Sequence, residues 1–396
     1  MKIVLTNQHS NNRGDESAVI GVIESLRRRF GEDTKIDIIL QSGKYRFITE
    51  EMNINESGMM IGPLKTFILF IWTFFKKFNL DLRWICTKEV KKYLKINEEA
   101  DIVLSSCGGP YIGDLYLNHE FLHHLHLAVP LLFGKKTAFY AVSMGPLKNK
   151  LMNPLRRNLL NKVDLIILRD PISLNTVKEF GVNPDKVHLT ADSCFSDKYT
   201  IKNIIPDNTI GVTPLKYHYN NINKEEQFLK YKIELSNTIN TLMEKDKTLN
   251  VVFFPQLYAK HSDVTLIEDI ILKLKFPERS SIFSDSLSGV KQQEKISTLK
   301  YVIATRYHSA IFACKTGVPC LCIAYEHKAK GFMNMVGLDD YCIDILEVNS
   351  ELLLGKIDKI EENRDIIKNQ LVKVIPEVTE KAEKSSLLVE KCLSNK

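Results

Sequence analysis

The sequence has no paired Cys-x-x-Cys set, no Gly-x-Gly-x-x-Gly loop after its first strand, and no run of the roughly 20 apolar residues that a bilayer-spanning helix needs. The first absence argues against a zinc ribbon or a disulfide framework. The eight cysteines, Cys86, Cys107, Cys194, Cys314, Cys320, Cys322, Cys342 and Cys392, lie mostly in apolar contexts and read as reduced thiols. The second argues against a dinucleotide, and the third against a membrane-spanning protein. A secretory h-region is also missing, because residues 2–6 begin a strand at once, so a cytoplasmic location is expected. Charge is nearly balanced, with 54 basic and 48 acidic side chains giving a net of +6. That excess suits an acidic substrate or an anionic membrane surface; it is too small to argue for nucleic acid, and no nucleic-acid motif accompanies it.

What is present is a long alternation of strands and helices, in a chain of 396 residues that suggests two or three domains. Apolar strands are expected near residues 2–6, 36–40, 101–106, 136–142, 164–168 and 187–189, and a second set at 210–214, 250–254, 281–283, 301–304 and 320–325. The pattern predicts an α/β protein with two Rossmann-like, doubly wound domains facing a central cleft. The boundaries drawn are 1–200 for the first domain, 201–208 for a polar linker, 209–348 for the second domain and 349–396 for C-terminal helices.

The segment 301–325 organises this reading: strand, a turn carrying Arg306 and His308, a helix, a Gly317-Val318-Pro319 stop and another strand. A cation and an imidazole at the carboxyl end of a strand, where a helix begins, make an anion pocket with an acid or base beside it. The structural alternative is that Arg306 caps a carbonyl and His308 merely starts the helix. Residues 64–80 are the most apolar and aromatic stretch, and Lys65, Lys76, Lys77 and Arg83 surround them. They read either as a helix lying in a membrane interface or as one packed in the core or over the cleft. His119, His123 and His126 share a helix face, but no acidic or cysteine partner completes a metal signature, and no metal is expected.

Taken in order, the motifs resemble those of the polysaccharide pyruvyl transferase family, from Asn12 to about Asp344. The carriers are Asn12-x-Gly14-Asp15, the Gly108-Gly109 loop with Asp114, Gly145-Pro146 and Arg169-Asp170-x-x-Ser173. Asp192, Gln256, Arg306-Tyr307-His308-Ser309 and Tyr325-x-x-Lys328 follow. The resemblance implies a GT-B-like fold and transfer of a pyruvyl group from phosphoenolpyruvate to two hydroxyls of one sugar. A cyclic ketal and free phosphate result, with no cofactor. It implies Arg169, Arg306 and His308 in catalysis, and Arg169, Arg306, Ser309, Gln256 and Lys328 on the donor, whose anion side is the second domain. Asn12, Asp15, Gly108, Gly109 and Asp114 would serve the acceptor, a sugar of a cell-surface polysaccharide or its lipid-linked precursor. Two arginines from opposite halves would grip the phosphate and carboxylate, His308 would act as general acid, and Asp15 or Asp170 would orient the sugar or take its proton. Two rival readings are a nucleotide-sugar glycosyltransferase of the same architecture and a non-catalytic, membrane-associated assembly protein anchored through residues 67–75.

Overall fold

A computed structural model describes residues 1–9, 12–42, 52, 54–56, 63–106, 112–197, 206–217, 224–257, 262–284 and 288–394. The chain divides into two compact units, one of residues 1–11, 15–197 and 378–396, the other of residues 12–14 and 198–377.

The first unit is built on a seven-stranded sheet of β1 (Lys2–His9), β2 (Lys35–Ser42), β3 (Asn55–Glu56), β4 (Ile102–Ser106), β5 (Lys136–Val142), β6 (Leu165–Leu168) and β7 (Val187–Leu189). Its order is β3-β2-β1-β4-β5-β6-β7 and every pairing is parallel. β4 and β6 are buried throughout, as strands covered by helices on both faces must be. The helices are α1 (Arg13–Phe30), α2 (Pro63–Lys76), α3 (Lys88–Glu98), α4 (Leu117–Leu132), α5 (Asn153–Lys162) and α6 (Pro171–Glu179). Local signals start them: Thr87 accepts from the Val90 amide to cap α3, and Asp170 accepts from the Ser173 amide to cap α6, with Pro171 at its first position.

The second unit repeats the plan with β8 (Thr209–Thr213), β9 (Asn250–Phe253), β10 (Ser280–Ile282), β11 (Val302–Ala304), β12 (Cys320–Ala324) and β13 (Cys342–Asp344). They form a six-stranded parallel sheet in the order β10-β9-β8-β11-β12-β13. Its helices are α7 (Lys224–Lys245), α8 (Asp263–Ile271), α9 (Gly289–Ile296), α10 (Tyr307–Lys315), α11 (His327–Met335) and α12 (Ser350–Glu362). In both sheets the order runs outward both ways from the first strand. The topological switch points therefore lie between β1 and β4 and between β8 and β11, where open α/β sheets bind ligands.

The last helix, α13 (Arg364–Ser394), is divided at Glu377 between the two units and contains Pro376. Its early part belongs to the second unit, where Gln370 donates to the carbonyls of Val336 and Gly337 at 2.8 and 2.7 Å. Its late part belongs to the first, where Ser385 bonds Thr190 at 2.9 Å and Glu383 pairs with Arg28 at 2.6 Å. The expected C-terminal helices at 349–396 are α12 and α13, and the second of them contributes to both units. Residues 201–205 of the expected linker lie outside the described residues.

Candidate functional site

In the second unit, β11 delivers Thr305 and Arg306 to the start of α10. Thr305 donates its amide to the Thr213 carbonyl at the end of β8, and its hydroxyl meets the buried Tyr231 hydroxyl at 2.7 Å. Burial pushes the Tyr231 phenol upward, so that hydroxyl stays neutral. Arg306 stands at the N-cap of α10 in extended conformation, and its own side chain makes no capping hydrogen bond. Its guanidinium is bonded to Asp263, the first residue of α8. The second oxygen of that carboxylate accepts from the amides of Gln256 and Leu257 at 3.0 and 2.9 Å. Asp263 therefore ties Arg306 to the chain leaving β9, while 13% of the arginine side chain stays exposed.

Three buried oxygens belong to the carboxyl ends of neighbouring strands or the helix that follows: Thr213 Oγ1 at the end of β8, Gln256 Oε1 after β9 and Ser309 Oγ in the first turn of α10. None has a hydrogen-bond partner among the described residues. Leaving a buried polar atom unpaired costs on the order of 1–3 kcal/mol, so such atoms mark a place built to be completed by something else. The amide end of Gln256 is fixed, donating to Gln292 at 2.7 Å, and Gln292 in turn donates to the Pro255 carbonyl at 2.9 Å.

His308 is buried and packs edge-on against Tyr307, with ring centroids 4.9 Å apart. The Asn-x-Gly-Asp motif explains the other wall. Asn12 precedes α1 and accepts the Gly14 amide at 2.9 Å, and the Arg13 amide donates to the Gln256 carbonyl at 3.0 Å. Gly14 is thereby laid against the imidazole, where a Cβ would overlap His308 Nδ1, Cγ and Cβ. Asn12, expected on the acceptor, is engaged in capping this turn. Lys328, expected on the donor, pairs with Glu326 at 2.9 Å and lies 5.4 and 5.7 Å from the ring centres of Tyr307 and Tyr325.

In the first unit, Arg169 is 1% exposed and paired with Asp192 at 2.7 Å, and it donates to Ser143 at 2.9 Å. Asp170 completes the network by accepting from the hydroxyls of Ser143 and Ser173 at 2.9 and 2.7 Å. The sequence reading expects Arg169 on the donor; in the fold its guanidinium also has Asp192 as a built-in counter-charge, as deep burial requires. Asp114 accepts the Lys148 and Asn149 amides at 2.7 and 3.2 Å and pairs with Arg156 at 2.8 Å, so it fixes the turn after Gly145-Pro146. Asp15 is half-buried in the first turn of α1. Gly108 and Gly109 lie outside the described residues.

Sequence reasoning missed Asp263 and His9. His9, at the end of β1, sits with its ring centre 5.5 Å from His123 and 6.5 Å from the exposed His119. Burial, aided by His119, pushes the His9 imidazole down to about 4. Burial also lowers His123, and it takes His126, which bonds Thr6 at 3.2 Å, down to about 3. These rings are neutral at neutral pH.

The sequence profile described as "Polysaccharide pyruvyl transferase" matches residues 12–327, which includes every motif named above except Lys328 at the end of Tyr325-x-x-Lys328. The chain belongs to the polysaccharide pyruvyl transferase family. Among curated proteins it is similar to the amylovoran biosynthesis protein AmsJ of Erwinia amylovora, 23% identical and covering 95% of each chain. Among solved structures it resembles the UDP-GlcNAc 2-epimerase of Neisseria meningitidis bound to UDP-GlcNAc, with TM-score 0.62, 11% identity and 100% of both chains covered. HepE of Anabaena in complex with UDP-glucose also matches with TM-score 0.62, at 12% identity over 100% of both chains. These structural likenesses concern the fold, which is GT-B-like with two Rossmann-like units. Family membership carries the coarse activity, a transferase of polysaccharide biosynthesis. No helix among the described residues of this pyruvyl transferase family member is long and apolar enough to cross a membrane.

Proposed function

We propose that the protein transfers the pyruvyl group of phosphoenolpyruvate to two hydroxyls of one sugar, in a cell-surface polysaccharide or its lipid-linked precursor. The carrying observation is the corner of the second unit where Arg306 and His308 open α10 and the oxygens of Thr213, Gln256 and Ser309 have no partner among the described residues. Phosphoenolpyruvate brings two anionic groups, and a guanidinium held by Asp263 beside a helix N-terminus suits one of them. Ser309 and Thr213 supply hydroxyl donors, and Gln256 orients an acceptor oxygen.

The chemistry needs one proton delivered and two removed. His308 protonates the vinyl carbon, which becomes the methyl group, while the first sugar hydroxyl bonds to the neighbouring carbon and gives up its proton. The second hydroxyl then displaces phosphate from that carbon, its proton leaving as the ketal closes. Arg306 holds the donor anion through both steps, Asp263 positions Arg306, and Gly14 leaves the imidazole its place. Arg169 acts as a positioning residue within the first unit, to which Asp15 and the Gly108-Gly109 loop assign the acceptor.

Calorimetric titration with phosphoenolpyruvate, alongside UDP-, GDP- and CMP-sugars and with Arg306→Ala as control, tests the reading. Saturable binding of phosphoenolpyruvate that the variant loses is the expected result. Binding of a sugar nucleotide alone would transfer the protein to the glycosyltransferases.

A further inference from the structure

We propose that the first unit docks onto an anionic lipid bilayer through the outward face of α2 and the turn that follows it. This goes beyond the transfer reaction and does not depend on which donor is used. α2 has two unlike sides. Leu69, Trp72 and Thr73 are buried, the first two in a core that includes Val90, Tyr93 and Leu94 of α3. Leu64, Phe67, Phe70 and Phe74, spaced three or four residues apart and so on one helix face, are exposed. Phe78, Leu80 and Trp84 continue the surface, and Trp84 is 77% exposed. Phe121 of α4 adjoins it, its ring 5.7 Å from Phe70. Every exposed phenylalanine and the exposed tryptophan among the described residues belong to this patch.

The exposure is built into the fold. Asp81 accepts the Trp72 indole at 2.9 Å, and Arg83 makes paired bonds of 2.6 and 2.7 Å to Glu98, so the turn bearing Phe78 and Trp84 is pinned at both ends. A contiguous aromatic surface held open in this way marks an interaction site.

Charge selects the occupant. Residues 64–95 carry eight Lys or Arg and two Asp or Glu, a net of +6, which equals the net charge of the whole chain. Lys88, Lys91, Lys92 and Lys95 lie on one exposed face of α3, and Lys65 of α2 reaches Glu89 of α3 at 3.9 Å. Aromatic residues beside a lysine face match the acyl boundary and the headgroups of an anionic interface. A second copy meeting the same surface would oppose lysine to lysine. At 14 residues α2 is too short to span, so it lies in the plane of the interface.

The test is flotation of the purified full-length protein with vesicles of phosphatidylcholine alone or with phosphatidylglycerol added, at low and high salt. Binding is expected only with phosphatidylglycerol and should weaken with salt. Phe67→Ser/Phe74→Ser should lower it by about tenfold or more at either salt, and Lys91→Gln/Lys92→Gln by about tenfold at low salt. Both variants should retain the helical spectrum and the phosphoenolpyruvate titration of the parent. Absence of binding to anionic vesicles, equal binding to neutral ones, or unchanged binding by the phenylalanine variant overturns the proposal. So does a dimer in light scattering that the phenylalanine variant dissolves, since the patch would then join two copies. Intact vesicle binding with no phosphoenolpyruvate binding would instead defeat the donor assignment alone.

Discussion

Arg169 and Arg306 occupy equivalent places, each just after a sheet strand and just before a helix, and the two units treat them in opposite ways. Around Arg169 the helix start is capped by Asp170, the guanidinium is paired with Asp192, and Ser143 and Ser173 close the network. Around Arg306 the N-cap side chain does not cap its helix, and three buried oxygens of this helix and the neighbouring strand ends have no partner among the described residues. A strand-to-helix corner that satisfies itself holds the fold together. One that leaves its polar atoms to be completed is where the proposed donor is expected to bind.

Replacing the arginines separates the two roles most sharply. Arg169→Ala removes the guanidinium paired with the buried Asp192 and is expected to cost about 3–5 kcal/mol of folding stability. Denaturant unfolding of the variant measures it. Arg306→Ala leaves Asp263 with two backbone amides and should be destabilising to a smaller degree, while phosphoenolpyruvate affinity falls by about 2–4 kcal/mol in titration. Equal loss of stability in both variants, with donor affinity untouched, would erase the contrast.

Gly14→Ala sharpens the same contrast from the histidine side. The added Cβ overlaps the His308 imidazole and must displace it. Turnover should fall by about 10²–10⁴, as for His308→Ala. The titration with phosphoenolpyruvate, governed by Arg306, should change much less. A variant that turns over normally would show that His308 is not the acid.

The β11-turn-α10 corner was legible in the sequence because its signals are local: an apolar run, a polar turn and a Gly-Pro stop within 25 residues. Asp263 was not, since its bond to Arg306 joins positions 43 apart and depends on the start of α8 meeting the turn after β11. The Asn12-Gly14 motif could be seen but not placed, because its partners Gln256 and His308 come from the other end of the chain. β3, of two residues, is too short for a periodic signal. Residues 64–80 are apolar on every side, so their pattern could not tell a buried face from an exposed one; the packing of Leu69 and Trp72 decides it.

The histidines of the first unit give a milder way to compare the units. His9, His123 and His126 have imidazoles lowered by burial, so the unfolded chain binds more protons than the folded one below its ordinary value of 6.5. Stability should therefore fall as pH drops from 6.5 toward about 4, where His9 protonates in the folded protein. Each buried imidazole contributes about 1.4 kcal/mol per pH unit over its window. Denaturant midpoints at several pH values measure the slope, and His126→Asn should flatten it. An unchanged slope would place the acid sensitivity elsewhere.

The smallest effect lies in the second unit. Cys322 and Cys342 face each other on neighbouring strands. A hydrogen bond from Cys322, with Lys330 adding its charge, lowers the half-buried Cys342 thiol, whereas that same interaction and burial push Cys322 up. Cys342 is therefore the nucleophile of the pair. Maleimide labelling near pH 8 followed by peptide mapping should find Cys342 modified well before Cys314, Cys320 or Cys322, and Lys330→Gln should slow it by a few-fold. Ligand binding at the Arg306 corner leaves that rate unchanged if the two ends of the second sheet are independent. A rate that falls with phosphoenolpyruvate would show instead that completing the open corner tightens β12 and β13 as well.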